Sequence, residues 1–284
     1  MTEASDSSQG QRVPFSALLA YLFITFGISW GLFALFSFIP EKVSAVFGEL
    51  SVSHPGFVLA VWSPALAAFA VVLYHGGSQG LGAFLSRLFL WRCPIAWYAY
   101  LLAGFPLIYV AGSAVKGNLF VEPLPFDGVA PLLAAMAFMF VLGPMEEFGW
   151  RGLALPLLQR RFTPIWAGMI LGLIWGIWHL PAFLLSGTPQ SGWGFMPFLI
   201  GSVCLSVVLT PMFNASRGSI LLAVLYHFQA NNPLWPDAQP YDTLFFFAAA
   251  GFVVWLNRHT MFTKEGSVVG VIPDTRRRRR PRAT

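Results

Sequence analysis

Charge is scarce in this chain. Of its 284 residues only 10% are Asp, Glu, Lys or Arg, where soluble globular proteins carry about 25%. Twelve acids and 17 basic residues cannot cover a soluble surface of this size. That excludes a soluble globular enzyme, a disordered chain and a coiled coil. Cysteine is scarcer still. Cys93 and Cys204 both sit in apolar stretches, which excludes a disulfide framework and any cysteine-based zinc or iron–sulfur site. What the chain does hold is apolar residues, 56% of the total. The balance predicts an all-α, polytopic membrane helix bundle.

A helix needs ~20 mostly apolar residues to cross the hydrocarbon core. Eight segments approach that length: 14–39, 55–75, 94–115, 129–148, 164–186, 193–213, 219–232 and 240–257. The stretch 162–216 has no Asp, Glu, Lys or Arg and holds two of them, divided by GTPQSG at 187–192. Residues 1–13 form a polar tail, 14–257 the transmembrane domain and 258–284 a basic tail. The opening MTEASDSSQGQR is acidic and polar, and the first apolar segment outruns a signal peptide's apolar region. No cleavable signal is expected. About eight crossings put both tails on one side. Fifteen Lys and Arg fall on that side and two, Lys42 and Lys116, on the other. The positive-inside rule then predicts N-in and C-in. In a prokaryotic host the membrane is the plasma membrane. The RRRRRPR run from Arg276 to Arg282 suits anionic lipid headgroups, at ~1 kcal/mol per basic residue. On a membrane protein's cytoplasmic end it is not read as a nucleic-acid site.

Ionisable groups inside a bilayer are costly, and so are functional candidates. They fall in three places: Glu146, Glu147 and Arg151 in MEEFGWRG, His179 in LIWGIWHLP, and His227 with Asn231 in LYHFQANNP. The other 26 charged side chains are assigned to loops, tails or helix ends. Glu147 and Arg151 are four apart on one helix face, with the acid first, the better order for pairing. Glu146 is turned ~100° away. One acid is thus neutralised and the other left free. Glu146 lies 16 residues before Phe162, and His179 lies 16 after Thr163. In an antiparallel hairpin both rise ~24 Å and meet at one level, to within a turn. His227 and Asn231 share a face and rise to the same region. Asn231 also stands where its helix should end, so a C-terminal cap is an equal reading. Gly168, Gly172 and Gly176 form a small-residue face, expected to hold His179 beside the helix of Glu146.

Two carboxylates, two imidazoles and an amide make a kit for amide hydrolysis without a Ser, Cys or Thr nucleophile. A Glu serves as general base toward water, a His orients that water, and a second His with Asn donates to the oxyanion. Glu146, Glu147, His179 and His227 are also a ligand set for a divalent metal such as zinc. No HExxH is present.

EEFGWRG, WGIWH and HFQAN resemble the motifs EExxxR, [FW]xxxH and HxxxN of the CPBP family, the CAAX proteases and bacteriocin-processing enzymes. The eukaryotic type II CAAX prenyl endopeptidase belongs to that family. The resemblance covers roughly 130–235, with Trp175 where many members have Phe. It implies an intramembrane endopeptidase acting on a protein or peptide, either prenylated or carrying a leader. It further implies Glu146 as general base, Glu147 as its support and Arg151 holding the acid pair. His179 assists the water, and His227 and Asn231 form the oxyanion side. The family has been described both as a metalloprotease and as glutamate-dependent and metal-free, and the residues leave both open. A non-catalytic protein of the same fold, in bacteriocin immunity or scaffolding, is the alternative. A transporter is disfavoured because the halves show no inverted repeat.

Overall fold

The structure is a computed structural model and describes residues 13–119 and 126–274. Arg276 to Arg282 lie outside the described residues. Regular structure among the described residues is entirely helical. Six helices are long and apolar enough to cross a membrane: Ala17–Phe38, Pro55–Phe89, Ile95–Lys116, Val129–Gln159, Pro164–Leu184 and Phe195–Ala215. Two shorter apolar helices, Ile220–Ala230 and Asp242–Leu256, follow. Each coincides with one of the eight apolar segments. Helix is the form such segments take because hydrocarbon offers no partner for backbone N–H and C=O groups. The chain is a multi-pass integral membrane protein.

Local chemistry sets several helix ends. His54 Nδ1 accepts from the Gly56 N–H at 3.0 Å, with Pro55 opening the helix behind it. Ser219 Oγ accepts from the Leu222 N–H at 3.0 Å and starts the Ile220–Ala230 helix. Contacts between distant segments gather at the two ends of the bundle. At one end Arg160 donates to the carbonyls of Val13 and Val269, and Gln159 pairs with Asn214. At the other, Lys116 meets Asp237 at 2.6 Å, and Gly187 packs on the Leu50 carbonyl. Segments assigned to one side of the membrane thus touch one another.

Three features depart from expectation. The helix that begins at Pro55 runs well past residue 75, bending at Gly77 (φ 61°) and continuing as a 3₁₀ turn, Ser86–Phe89. Gly76 and Gly80 lie in the extra turns, where Ile272 Cδ1 fills the space of an absent side chain. Val271 and Ile272 are buried there, so part of 258–284 belongs to the core.

The second departure is Arg87, assigned to a loop but only 1% exposed. It donates to the carbonyls of Gly152, Gly218 and Val271 at 2.7, 2.8 and 3.1 Å. The Gly152 carbonyl is free for a reason. Pro156, four residues on, has no N–H to offer it. The chain widens into a π turn at Trp150–Ala154, and Arg87 supplies the donor.

Third, the glycine face meets a different partner. Gly168, Gly172 and Gly176 pack against the Phe195–Ala215 helix and not the helix of Glu146. A Cβ on Gly172 would lie 2.6 Å from Val203 Cα and 3.0 Å from the Ser202 carbonyl. Those are backbone atoms, which no rotamer change can clear. We expect Gly172→Val to lower the unfolding midpoint of the purified protein, at a cost of ~1–3 kcal/mol for overpacking. Leu173→Val on the exposed face should leave it nearly unchanged, and equal midpoints for both would refute the close approach.

Candidate active site

The helix Val129–Gln159 is apolar throughout its first turns and changes character at Gly143. Pro144 cannot donate to the Phe140 carbonyl, and its ring crowds that turn. The α-helix stops at Leu142, Gly143–Glu146 forms a 3₁₀ turn, and helical geometry resumes at Glu147. The acid pair therefore sits at the break.

Each acid has a partner four residues on. Trp150 Nε1 donates to Glu146 Oε2 at 3.1 Å, and Arg151 Nη1 donates to Glu147 Oε1 at 2.9 Å. Trp175 Nε1, from the neighbouring helix, donates to the same Glu146 Oε2 at 2.8 Å. Two indoles thus fix one oxygen of Glu146. Its other oxygen, Oε1, receives no hydrogen bond among the described residues. Trp150 is itself wedged edge-on between Tyr21 and Trp178, at 5.6 and 5.8 Å. The Arg151 guanidinium lies over the Trp175 ring at 4.9 Å.

The histidines arrive from two other helices. His179 caps the helix Pro164–Trp178, and its Nδ1 lies 2.8 Å from the Trp175 carbonyl. A carbonyl only accepts, so Nδ1 carries the proton, and in the neutral ring Nε2 keeps its lone pair. His227 Nδ1 meets Glu147 Oε1 at 2.7 Å. Asn231 stands at the end of its helix, where its backbone N–H satisfies the His227 carbonyl. Its side chain does something else. A Cβ on Gly143 would run into Asn231 Nδ2 and fall 3.1 Å from His227 Nε2. The missing side chain at the helix break is what lets both groups approach.

A cavity of about 400 Å³ opens beside these residues. Glu146, His179, His227 and Asn231 line it, together with Trp175 and Gly143. Glu147 and Arg151, 0% and 1% exposed, are not part of its wall and stand behind it. The six expected residues thus divide into four facing the cavity and two supporting them. As a zinc site the set fits poorly. Among the described residues no three His, Cys, Asp or Glu side chains group to hold a metal ion. Glu147 Oε1 is already shared between Arg151 and His227.

Sequence reasoning missed the two indole donors and Gly143. Trp150 was within reach of the spacing rule that paired Glu147 with Arg151, since it stands four residues after Glu146. Trp175 was noted only as a motif position, because its contact crosses between helices.

Comparison with known proteins matches residues 128–232 to the family described as "Type II CAAX prenyl endopeptidase Rce1-like". The chain is also 27% identical over 152 residues to "CAAX prenyl protease 2" of Methanococcus maripaludis. That alignment covers 50% of this chain and 56% of the relative, so the chain spans about half the length of the curated relative it matches. The family match brackets all three motifs and ends one residue beyond Asn231. With its three polar segments drawn together at one helix break, the stretch 128–232 is similar to the type II CAAX prenyl endopeptidases.

Proposed function

We propose that the chain is an intramembrane endopeptidase that hydrolyses a peptide bond of a membrane-associated protein or peptide with glutamate-activated water. One observation carries this reading: the unequal treatment of two adjacent acids. Glu147 is ion-paired behind the cavity wall, its unpaired Oε2 buried there, while Glu146 lines the cavity with one oxygen held and one unclaimed. Oε1 of Glu146 takes a proton from water as that water attacks the scissile carbonyl. His179 Nε2, with its lone pair, accepts from the same water and aligns it. The developing oxyanion lies toward His227 Nε2 and Asn231 Nδ2, across from Glu146. Donation from His227 Nε2 requires the doubly protonated ring, since Nδ1 already donates to Glu147. Glu146 then returns its proton to the leaving amine.

We take this water to be activated without zinc, in keeping with a Glu147 that stands behind the cavity wall with its Oε1 shared between Arg151 and His227. Treatment with 1,10-phenanthroline should leave cleavage unchanged, and inhibition reversed by added zinc would overturn that part. We also place the arginine-rich end in the cytoplasm, on the charge asymmetry. The whole reading is tested in cells by comparing membrane proteomes of the wild type and a Glu146→Ala strain. Uncleaved precursors should accumulate in the mutant. Identical proteomes would favour a non-catalytic role.

A further inference from the structure

The cavity has a second polar end that the hydrolytic mechanism does not use. It lies beyond Asn231, where the chain runs through Trp235, Asp237 and Gln239 into the helix Asp242–Leu256. Asp237 is exposed and already neutralised by Lys116 at 2.6 Å. Asp242 is different. It lines the cavity, is 2% exposed, and has no cation beside it among the described residues. Its Oδ2 accepts from Gln239 Nε2 at 3.1 Å, while its Oδ1 is buried without a hydrogen-bond partner. Gln239 Oε1 and Gln190 Oε1, on the same cavity, are also buried and unpartnered.

Buried polar atoms are nearly always satisfied, so orphans on residues that line one cavity ask for a ligand. All three are acceptors, and one belongs to a carboxyl group. A position in the first turn of a helix explains an acid near Asp242, because the helix dipole favours negative charge there. It does not explain why Oδ1 is left bare, nor why two amide oxygens share its state. The complementary group is rich in donors and positive. In a peptide that is the side chain of lysine or arginine.

We propose that Asp242, with Gln239 and Gln190, forms a subsite for one basic side chain of the bound peptide. This rests on the reading that the cavity receives a peptide, and deepens it by naming a substrate feature. The ammonium or guanidinium donates to Asp242 Oδ1 and to the two amide oxygens. Its aliphatic stem lies along the apolar wall at Leu205 and Phe246. The remaining substrate residues occupy the cavity toward Glu146.

The test is a binding and cleavage screen on the full chain in phospholipid nanodiscs. The probe is a positional-scanning hexapeptide library carrying Lys, Arg, norleucine or Glu at each place, read by mass spectrometry. Peptides retained by Glu146→Gln protein should favour Lys or Arg over norleucine at one position. Asp242→Asn should erase that preference, a loss of ~30-fold or more for a basic group whose buried partner is removed. Norleucine peptides should bind as before. Asp242→Glu should keep a basic preference, and Asp237→Asn should not change it. If Asp242→Asn lowers the unfolding midpoint but leaves the preference intact, Asp242 only caps its helix and the proposal falls. It falls equally if no basic preference exists, or if no peptide is retained. Peptides retained but never cleaved by the wild type would instead count against proteolysis, leaving the subsite standing.

Discussion

Glu146→Gln should abolish turnover while leaving the protein folded. Gln is isosteric with Glu, and its amide oxygen still accepts from Trp150 and Trp175, the two indoles that hold Oε2. No cation loses its partner, because the ion pair in this site belongs to Glu147. What disappears is the ability to take a proton from water. Removing a general base typically costs ~100- to 10,000-fold in rate. The loss should fall on kcat, with KM nearly unchanged, since the cavity keeps its shape. Glu146→Asp should recover little, because a shorter side chain held by the same indoles withdraws its free oxygen from the cavity. The measurement is steady-state cleavage of a substrate taken from the proteome comparison, alongside the unfolding midpoint. A Gln variant that keeps more than a tenth of the wild-type rate would remove Glu146 from the mechanism.

The contrast between the two acids was partly legible in the sequence. Helical spacing alone pairs Glu147 with Arg151 and turns Glu146 away, and the structure has that arrangement. Counting from Phe162 and Thr163 brought Glu146 level with His179 to within a turn, and the residue that bonds Glu146 is Trp175, one turn before His179, at 2.8 Å. These are consequences of rise per residue, so they survive a change of detail. Failures came where contact depends on which helix faces which. Spacing showed that Gly168, Gly172 and Gly176 wanted a close neighbour, but not that the neighbour was Phe195–Ala215. Arg87 looked like a loop charge because burial of a cation requires acceptors. Its acceptors are carbonyls of residues 152, 218 and 271, which no local window brings together. Asp242 looked like a loop acid for the same reason: its burial is supplied by other helices, among them that of Gly112, whose missing side chain lets it pack on the Asp242 backbone.

Arg151→Met should strike stability where Glu146→Gln strikes turnover. Arg151 is 1% exposed and its partner Glu147 is fully buried. Deleting the guanidinium leaves a carboxylate with only His227 beside it, at 2.7 Å, and no solvent to share the charge. Breaking one half of a buried pair costs ~3–5 kcal/mol where the survivor is left uncompensated, and a protonated His227 offsets part of that here. The unfolding midpoint should drop sharply, and Glu147→Gln, which strands Arg151 instead, should lower it by a similar amount. The double variant Glu147→Gln with Arg151→Met is the decisive member. It removes both charges and fills the space with a neutral amide and an apolar chain of similar length. Exchanging a buried pair for neutral groups is often close to neutral in stability, so the double should be more stable than either single. The interaction energy from that cycle measures the pair itself. Activity should not return with stability. His227 Nδ1 would then face an amide in place of a carboxylate, and the doubly protonated ring that donates from Nε2 would lose the charge that balances it. A double variant as unstable as the sum of the singles would mean that Arg151 acts through packing on Trp175, over which its guanidinium lies at 4.9 Å, and not through its charge.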